Sequence, residues 1–236
     1  MGINKFWDKI KSQIKSKRHI IFLGETHGAK INPVIIDEFV NKLKIDVILV
    51  ELEPKWKKSF LYLEKGQKEK FIKSFKGEDW IFQSGIIGDQ HIKLFSKYLK
   101  EGKKIIPIKI ENKNWNVSES KTSKNIKDIF KSNPDKNILL IMGKLHARKK
   151  TFKFNFNGET KRLIPVGFNI AKDSINIQIR FGNGEIYNFG KIKVNDKFAL
   201  KYSQKNNKGL IKSNSQYFDY DFVVSNTKAI NPIKIK

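Results

Sequence analysis

Two of the four histidines in this chain stand directly after runs of apolar residues. His27 lies in the segment GETHG, residues 24–28, and His146 lies in GKLH, residues 143–146. An imidazole near neutral pH can take or give a proton, and it can also bind a metal ion. The glycines in both segments let the backbone turn sharply and approach a ligand. These two histidines are therefore the first candidates for a functional site.

Carboxylates accompany both histidines. Glu25 stands two residues before His27, and Glu51 ends the apolar run of residues 46–50. Carboxylates orient a catalytic imidazole or complete a metal shell, and two His with two Glu suit several divalent metals, with Mn, Zn and Co as the candidates here. The predicted set, for catalysis and for metal binding alike, is Glu25, His27, Glu51 and His146.

The other two histidines carry weaker signals. His91 stands early in the helical segment 89–100, where a histidine donates a second hydrogen bond to the site or binds a cofactor such as haem. A half-buried histidine without a ligand is the alternative interpretation. His19 precedes the first apolar run, at the opposite end from the candidate site, and we interpret it as structural.

The apolar runs predict strands that alternate with helices. Such alternation is typical of an α/β protein whose parallel sheet is flanked by helices on both faces. Ligands of such sheets bind outside the carboxyl ends of the strands, where the candidate residues fall. The predicted strands are 20–23, 46–52, 104–110 and 137–142, and the main predicted helices are 32–43, with Asn32 as N-cap, 89–100 and 123–132. Pro107 indicates that the third strand lies at an edge or carries a bulge.

After His146 the apolar period changes to two, which predicts antiparallel strands added in the C-terminal part. The run 175–180 meets a Gly-Asn-Gly turn signal at 182–184 and predicts a hairpin with 185–189. Residues 201–216, rich in Lys, Asn and Ser, are expected to be loosely ordered. The predicted organisation is an amphipathic N-terminal helix at 1–18 packed on the core, an α/β domain at 19–190, and a strand and loop extension at 191–236.

Composition narrows the functional classes. The 236 residues carry 48 Lys and Arg against 23 Asp and Glu, a formal charge of +25, but only four of the basic residues are arginine. Arginine is the better group for bidentate phosphate and base contacts, so a nucleic-acid partner is an alternative that we do not favour. With no cysteine, thiolate metal sites and cysteine nucleophiles are excluded.

The motifs resemble those of the erythromycin esterase/ChaN/TraB–Tiki superfamily. LGETHG at 23–28, VEL at 50–52 and GKLHA at 143–147 match its three motifs in order, spacing and strand context. The similarity extends more weakly through 162–184, so that it covers roughly residues 19–190. By this resemblance, His27 corresponds to the histidine proposed as general base or metal ligand in the family. Glu25 corresponds to the acid beside that histidine, Glu51 to the acid that ends the second strand, and His146 to the histidine of the motif after a later strand.

The resemblance implies a hydrolase that acts on an ester or amide, with a small molecule or a peptide as its substrate. In this interpretation His27 deprotonates water or helps to bind a metal, and His146 stabilises the oxyanion or protonates the leaving group. The alternative is a non-catalytic haem- or metal-binding protein of the ChaN type. The absence of a signal peptide, lipobox and transmembrane segment leads us to expect a cytoplasmic location, and the oligomeric state stays open.

Overall fold

The computed structural model of the chain describes residues 3–156, 158–206 and 208–233. The helices are α1 Ile3–Ser16, α2 Asn32–Leu43, α3 Phe60–Glu64, α4 Lys68–Lys73, α5 Trp80–Gln83, α6 Asp89–Lys100, α7 Trp115–Ser132, α8 Val166–Asn169 and α9 Lys197–Asn206. The strands are β1 Ile20–Glu25, β2 Val47–Val50, β3 Lys104–Pro107, β4 Ile138–Gly143, β5 Phe152–Phe156, β6 Glu159–Leu163, β7 Ser174–Tyr187, β8 Lys191–Asn195, β9 Lys208–Lys212 and β10 Tyr220–Thr227. A 3₁₀ helix spans Pro54–Ser59.

One mostly parallel sheet organises the molecule. Its order is β3-β2-β4-β1-β7-β10-β9, with β8 paired to β7. Neighbouring strands from β3 through to β10 run parallel, whereas β9 pairs antiparallel with β10 and β8 pairs antiparallel with β7. Strands β5 and β6 form a separate antiparallel pair. The predicted α/β class, with antiparallel strands in the C-terminal part, is confirmed.

Both faces of the sheet are buried, which explains the continuous apolar runs of its central strands. In β1, Ile21 and Leu23 belong to the larger core cluster, whereas Ile20 and Phe22 belong to a second cluster on the other face. Helices α1, α2 and α6 supply residues to the larger cluster, and α7 and α8 supply residues to the second. The strands are thereby held rigidly, and so are the residues that follow them.

The amphipathic N-terminal helix is packed against this core. Trp7 and Ile10 are buried, and the Trp7 ring meets Phe39 of α2 edge-on at 4.9 Å between ring centroids. Among the described helices, none is long and apolar enough to cross a membrane.

Several local predictions were wrong. Strand β7 runs unbroken through Gly182 and Gly184 to Tyr187, so the hairpin turns later, around Asn188, into β8. The long strand is possible because β10 pairs with it as far as Gly184. Helix α7 begins at residue 115 instead of 123, because the Asn114 side chain accepts a hydrogen bond from Val117 N–H and caps it.

Asn32 is not the N-cap of α2. Its buried side chain donates to the Thr26 carbonyl and so braces the loop that carries His27, while Ile31 takes the cap position without a side-chain hydrogen bond. The segment 201–216, expected to be loosely ordered, contains the end of α9 and strand β9 instead. Strand β3 lies at the sheet edge, in agreement with the prediction, but it ends at Pro107 instead of residue 110.

Candidate active site

Three parallel strands bring the predicted residues to one edge of the sheet. Glu25 is the last residue of β1 and pairs in register with Gly143, the last residue of β4. Glu51 directly follows β2, which pairs with the other side of β4. Because all three strands run in the same direction, Glu25, Glu51 and the segment that carries His146 emerge side by side. The four residues predicted from the motifs therefore lie together.

His27 is held between two carboxylates. Its Nδ1 lies 3.0 Å from Glu25 Oε1, and its Nε2 lies 3.5 Å from Glu51 Oε2. Glu25 is buried, whereas the side chain of His27 is 20% exposed and is the most accessible of the four. The looser of its two contacts, to Glu51, is the one that a small molecule entering from solvent could replace.

Glu51 connects the two histidines. Its Oε1 lies 3.1 Å from Nε2 of His146, while its Oε2 faces His27 and accepts a hydrogen bond of 2.6 Å from Gly143 N–H. A single carboxylate at the centre of the site is thus shared by both imidazoles and fixed by the backbone of β4.

The charges of the site stabilise one another. Burial opposes the charged form of His27, but hydrogen bonds to Glu25 and Glu51 outweigh it and raise the pKa of His27 to about 10. Burial likewise opposes the charge of His146, yet Glu51 and Glu119 raise the pKa of His146 as well. Burial disfavours the Glu51 carboxylate, but His146 and His27 hold the pKa of Glu51 well below its ordinary value. These shifts favour the imidazolium form of His27 and the carboxylate form of Glu51.

Three site residues did not come out of the motif reasoning. Glu119 is completely buried, and its Oε2 lies 2.8 Å from Nδ1 of His146. Its Oε1 accepts a hydrogen bond from Lys109 Nζ at 2.8 Å. Trp115 stacks on the His146 ring, with the centroids 4.6 Å apart and the planes at 13°.

A sequence signal for Trp115 and Glu119 exists. Residues four apart share one face of a helix, and α7 directly follows the end of a predicted strand, where Lys109 lies. The start of α7 was predicted eight residues too late, and so this face was not recognised.

His91 lies behind the site and does not face solvent. It is buried, its Nδ1 accepts a hydrogen bond from Gly88 N–H, and its Nε2 lies 3.9 Å from Glu25 Oε2. Burial lowers the pKa of His91 and so favours the neutral ring. A ring buried in this position does not fit an axial haem ligand, because a haem iron would have to reach it. Haem binding stays a prediction.

The donor set does not fit a metal ion in its present arrangement. The nitrogen and oxygen atoms of the four predicted residues point at one another in pairs, and across the described ranges no three His, Asp or Glu side chains are grouped to hold an ion. Binding of Mn, Zn or Co at these residues stays a prediction.

Glycine at position 143 is required by the approach of His27. A Cβ at this position would lie 2.8 Å from Nε2 of His27, closer than real Cβ contacts. The absence of a side chain at Gly143 thus leaves room for Nε2 of His27.

Solved structures of other proteins share this fold at low sequence identity. An erythromycin esterase mutant, EreC, in its open conformation is 10% identical, with a TM-score of 0.58 over 100% of this chain and 96% of that chain. A Bacillus cereus protein is 11% identical, with a TM-score of 0.57 over 99% of this chain and 100% of its own. The type III effector HopBA1 is 14% identical, with a TM-score of 0.54 over 94% and 93%.

No protein-family model and no curated protein sequence matches the chain. The likeness to solved structures therefore establishes the fold, which is that of erythromycin esterase. For the fold, the resemblance indicated by the sequence motifs is confirmed.

Proposed function

We propose that the protein is a hydrolase of an ester or amide substrate, acting at the carboxyl edge of the parallel sheet. The observation that carries the proposal is the Glu51 carboxylate, shared between His27 and His146, each of which is held from its other side by a further buried carboxylate. Groups that donate and accept protons are thus fixed within hydrogen-bond reach of one another, as general acid–base catalysis requires. The shared fold with erythromycin esterase, a hydrolase by its name, supports the same class.

The first step uses the loose contact between His27 and Glu51. The substrate carbonyl oxygen takes the place of Oε2 of Glu51 beside Nε2 of His27, and a water molecule held by Glu51 attacks the carbonyl carbon and gives its proton to Glu51. The imidazolium of His27, which is the resting form with a pKa of about 10, donates a hydrogen bond to the carbonyl oxygen as negative charge develops there. In this assignment His27 is the oxyanion donor, and Glu51 takes the role of base that the sequence motifs suggested for His27.

The second step uses His146. Its imidazolium protonates the leaving alcohol or amine as the acyl C–O or C–N bond breaks, which leaves His146 as a neutral imidazole beside the protonated Glu51. The proton that Glu51 took from water then passes to His146 across 3.1 Å and restores the resting site. Glu119 and Lys109 position His146, and the parallel ring of Trp115 favours its charged form.

The test is turnover of a panel of esters and amides by the wild-type protein and by His146→Ala and Glu51→Gln. We expect each substitution to lower kcat/KM by about a hundredfold or more, the scale of a lost general acid or base. His19→Ala is the matched control, because His19 lies just before β1 at the opposite end of the strand and should leave turnover unchanged.

Hydrolysis that survives both His146→Ala and Glu51→Gln would contradict the proposal. Parallel assays with a chelator, and with added Mn, Zn or Co, test the separate prediction of a divalent metal.

A further inference from the structure

A cavity of about 480 Å³ opens beside the candidate active site. Thr26, which lies between Glu25 and His27 in the chain, forms part of its wall, and so does Lys144, the residue after Gly143. Strand β7 contributes Gln178 and Arg180. The cavity therefore shares its wall with the two loops that carry His27 and His146.

Lys144 and Arg180 are the cations among the described residues that line the cavity, and Asp196 is the anion. Arg180 is neutralised, because Asp196 accepts from its Nε and Nη2 and Asp221 accepts from its Nη1. Asp196 also accepts from two backbone N–H groups at the start of α9. Lys144 has neither a hydrogen bond nor an ion pair through its ammonium group within the described part of the chain. One positive charge thus faces the cavity without a partner.

Neutral donors surround that charge. The Asn214 side-chain oxygen accepts from Arg180, which leaves its NH₂ group free to donate. The Ser215 hydroxyl oxygen accepts from Tyr217 N–H, which leaves its own proton available. The Thr26 hydroxyl makes no hydrogen bond to any described residue. An ammonium group with several hydroxyl and amide donors is the set of groups that binds an oxyanion.

We propose, on the basis of the hydrolase function proposed above, that this cavity binds an anionic oxyacid group of the substrate, a carboxylate or a phosphate, through Lys144. The substrate is then an ester or amide with its negative group on the acyl or alcohol side and its carbonyl at His27. The formal charge of +25 favours the approach of such a substrate.

Binding is tested directly by calorimetric titration with inorganic phosphate and with succinate at constant ionic strength. The two ligands distinguish a phosphate from a carboxylate site. We expect at least one of them to bind the wild-type protein, and Lys144→Met to weaken that binding about tenfold. Lys113→Met is the matched control, because Lys113 is an exposed lysine that lines a different cavity, next to Trp115. The proposal is overturned if neither ligand binds, if Lys144→Met binds as tightly as wild type, or if Lys113→Met causes the loss instead.

Turnover provides the second test. We expect the wild-type protein to prefer the mono-4-nitrophenyl ester of glutaric acid over the same ester with its free carboxylate replaced by a neutral carboxamide. Lys144→Met should reduce that preference about tenfold through KM, with kcat retained. An equal preference in both proteins would contradict the cavity assignment. Ligand binding without any turnover would count against the hydrolase function alone, because the titration does not depend on catalysis.

Discussion

His27, Glu51 and His146 of the candidate active site are each held by more than one partner. His27 contacts Glu25 and Glu51, His146 contacts Glu51 and Glu119, and Glu119 is further held by Lys109. Such sharing keeps charged groups ionised in a buried site, where an isolated charge would be neutralised. It also fixes the rings in the orientation that proton transfer requires.

The paired charges predict a specific dependence of stability on pH. The pKa of His27 is about 10 in the folded protein, whereas an unfolded histidine has a pKa of about 6.5. The folded state therefore holds an extra proton between these values, so the stabilisation is complete below about pH 6.5 and is lost as the pH rises through about 10. The slope from one such proton is at most about 1.4 kcal/mol per pH unit.

Glu51→Gln removes one of the two carboxylates that raise the pKa of His27. We expect the free energy of unfolding, measured with urea between pH 7 and pH 10, to fall less steeply in this variant than in the wild-type protein. Contributions from the many surface lysines are common to both proteins and cancel in the comparison. Equal slopes would show that Glu51 does not stabilise the imidazolium.

At the scale of elements, the site depends on the loops at the ends of β1, β2 and β4. Asn32, at the start of α2, donates to the Thr26 carbonyl and fixes the loop after β1, and Gly143 N–H fixes Glu51 after β2. These loops are short and attached to buried strands, so their backbone positions are set by the sheet. The accessible volume around His27 depends in turn on the absence of a side chain at position 143.

Gly143→Ala should displace the His27 ring without unfolding the protein. The added Cβ would lie 2.8 Å from Nε2 of His27, and a histidine side chain can rotate away more easily than the strand can move. We expect kcat for ester hydrolysis to fall by about tenfold or more, since small displacements of positioned groups carry large costs. The free energy of unfolding should change by much less than it does for a core substitution.

Gly190→Ala is the control for that substitution, because a Cβ at position 190 meets no atom within 4 Å. Its turnover and stability should match those of the wild-type protein. Loss of activity in both variants would indicate a general sensitivity to alanine, and retained activity in Gly143→Ala would contradict the role of this glycine.

At the scale of the whole molecule, the C-terminal residues complete the same sheet that carries the site. Strand β10 pairs in parallel with β7, which pairs with β1, and Phe222 of β10 is buried with its ring 5.5 Å from that of Phe39 in α2. The segment 191–236, predicted to be an extension, therefore contributes to the core through the part of it that the structure describes.

Phe222→Ala tests this contribution. We expect the substitution to lower the free energy of unfolding by about 3–5 kcal/mol, the range for truncation of a buried phenylalanine. Ile192→Ala in β8 is the control, because Ile192 is 45% exposed and should cost far less. Urea unfolding of both variants is the measurement, and equal small effects would show that β10 is not part of the cooperative core.

The sequence by itself determined the α/β class, the central strands, the helix at 89–100 and the four residues Glu25, His27, Glu51 and His146. Apolar runs and local motifs are sufficient for this, since a buried parallel strand is continuous in sequence and its end is marked by glycine and polar residues. The parallel direction of the strands then brought their ends together.

The tertiary structure alone decided the rest. Glu119, Lys109 and Trp115 join the site because the chain after β3 and the start of α7 lie against His146. The four-residue spacing places Trp115 and Glu119 on one helix face, but it does not indicate which histidine that face meets. The unbroken β7 is likewise a long-range effect: pairing with β10, some 40 residues further along the chain, overrides the turn preference of its glycines. The unpaired charge of Lys144 could be recognised only once Arg180 and Asp196 were seen to neutralise each other, because a charge balance depends on contacts between distant residues.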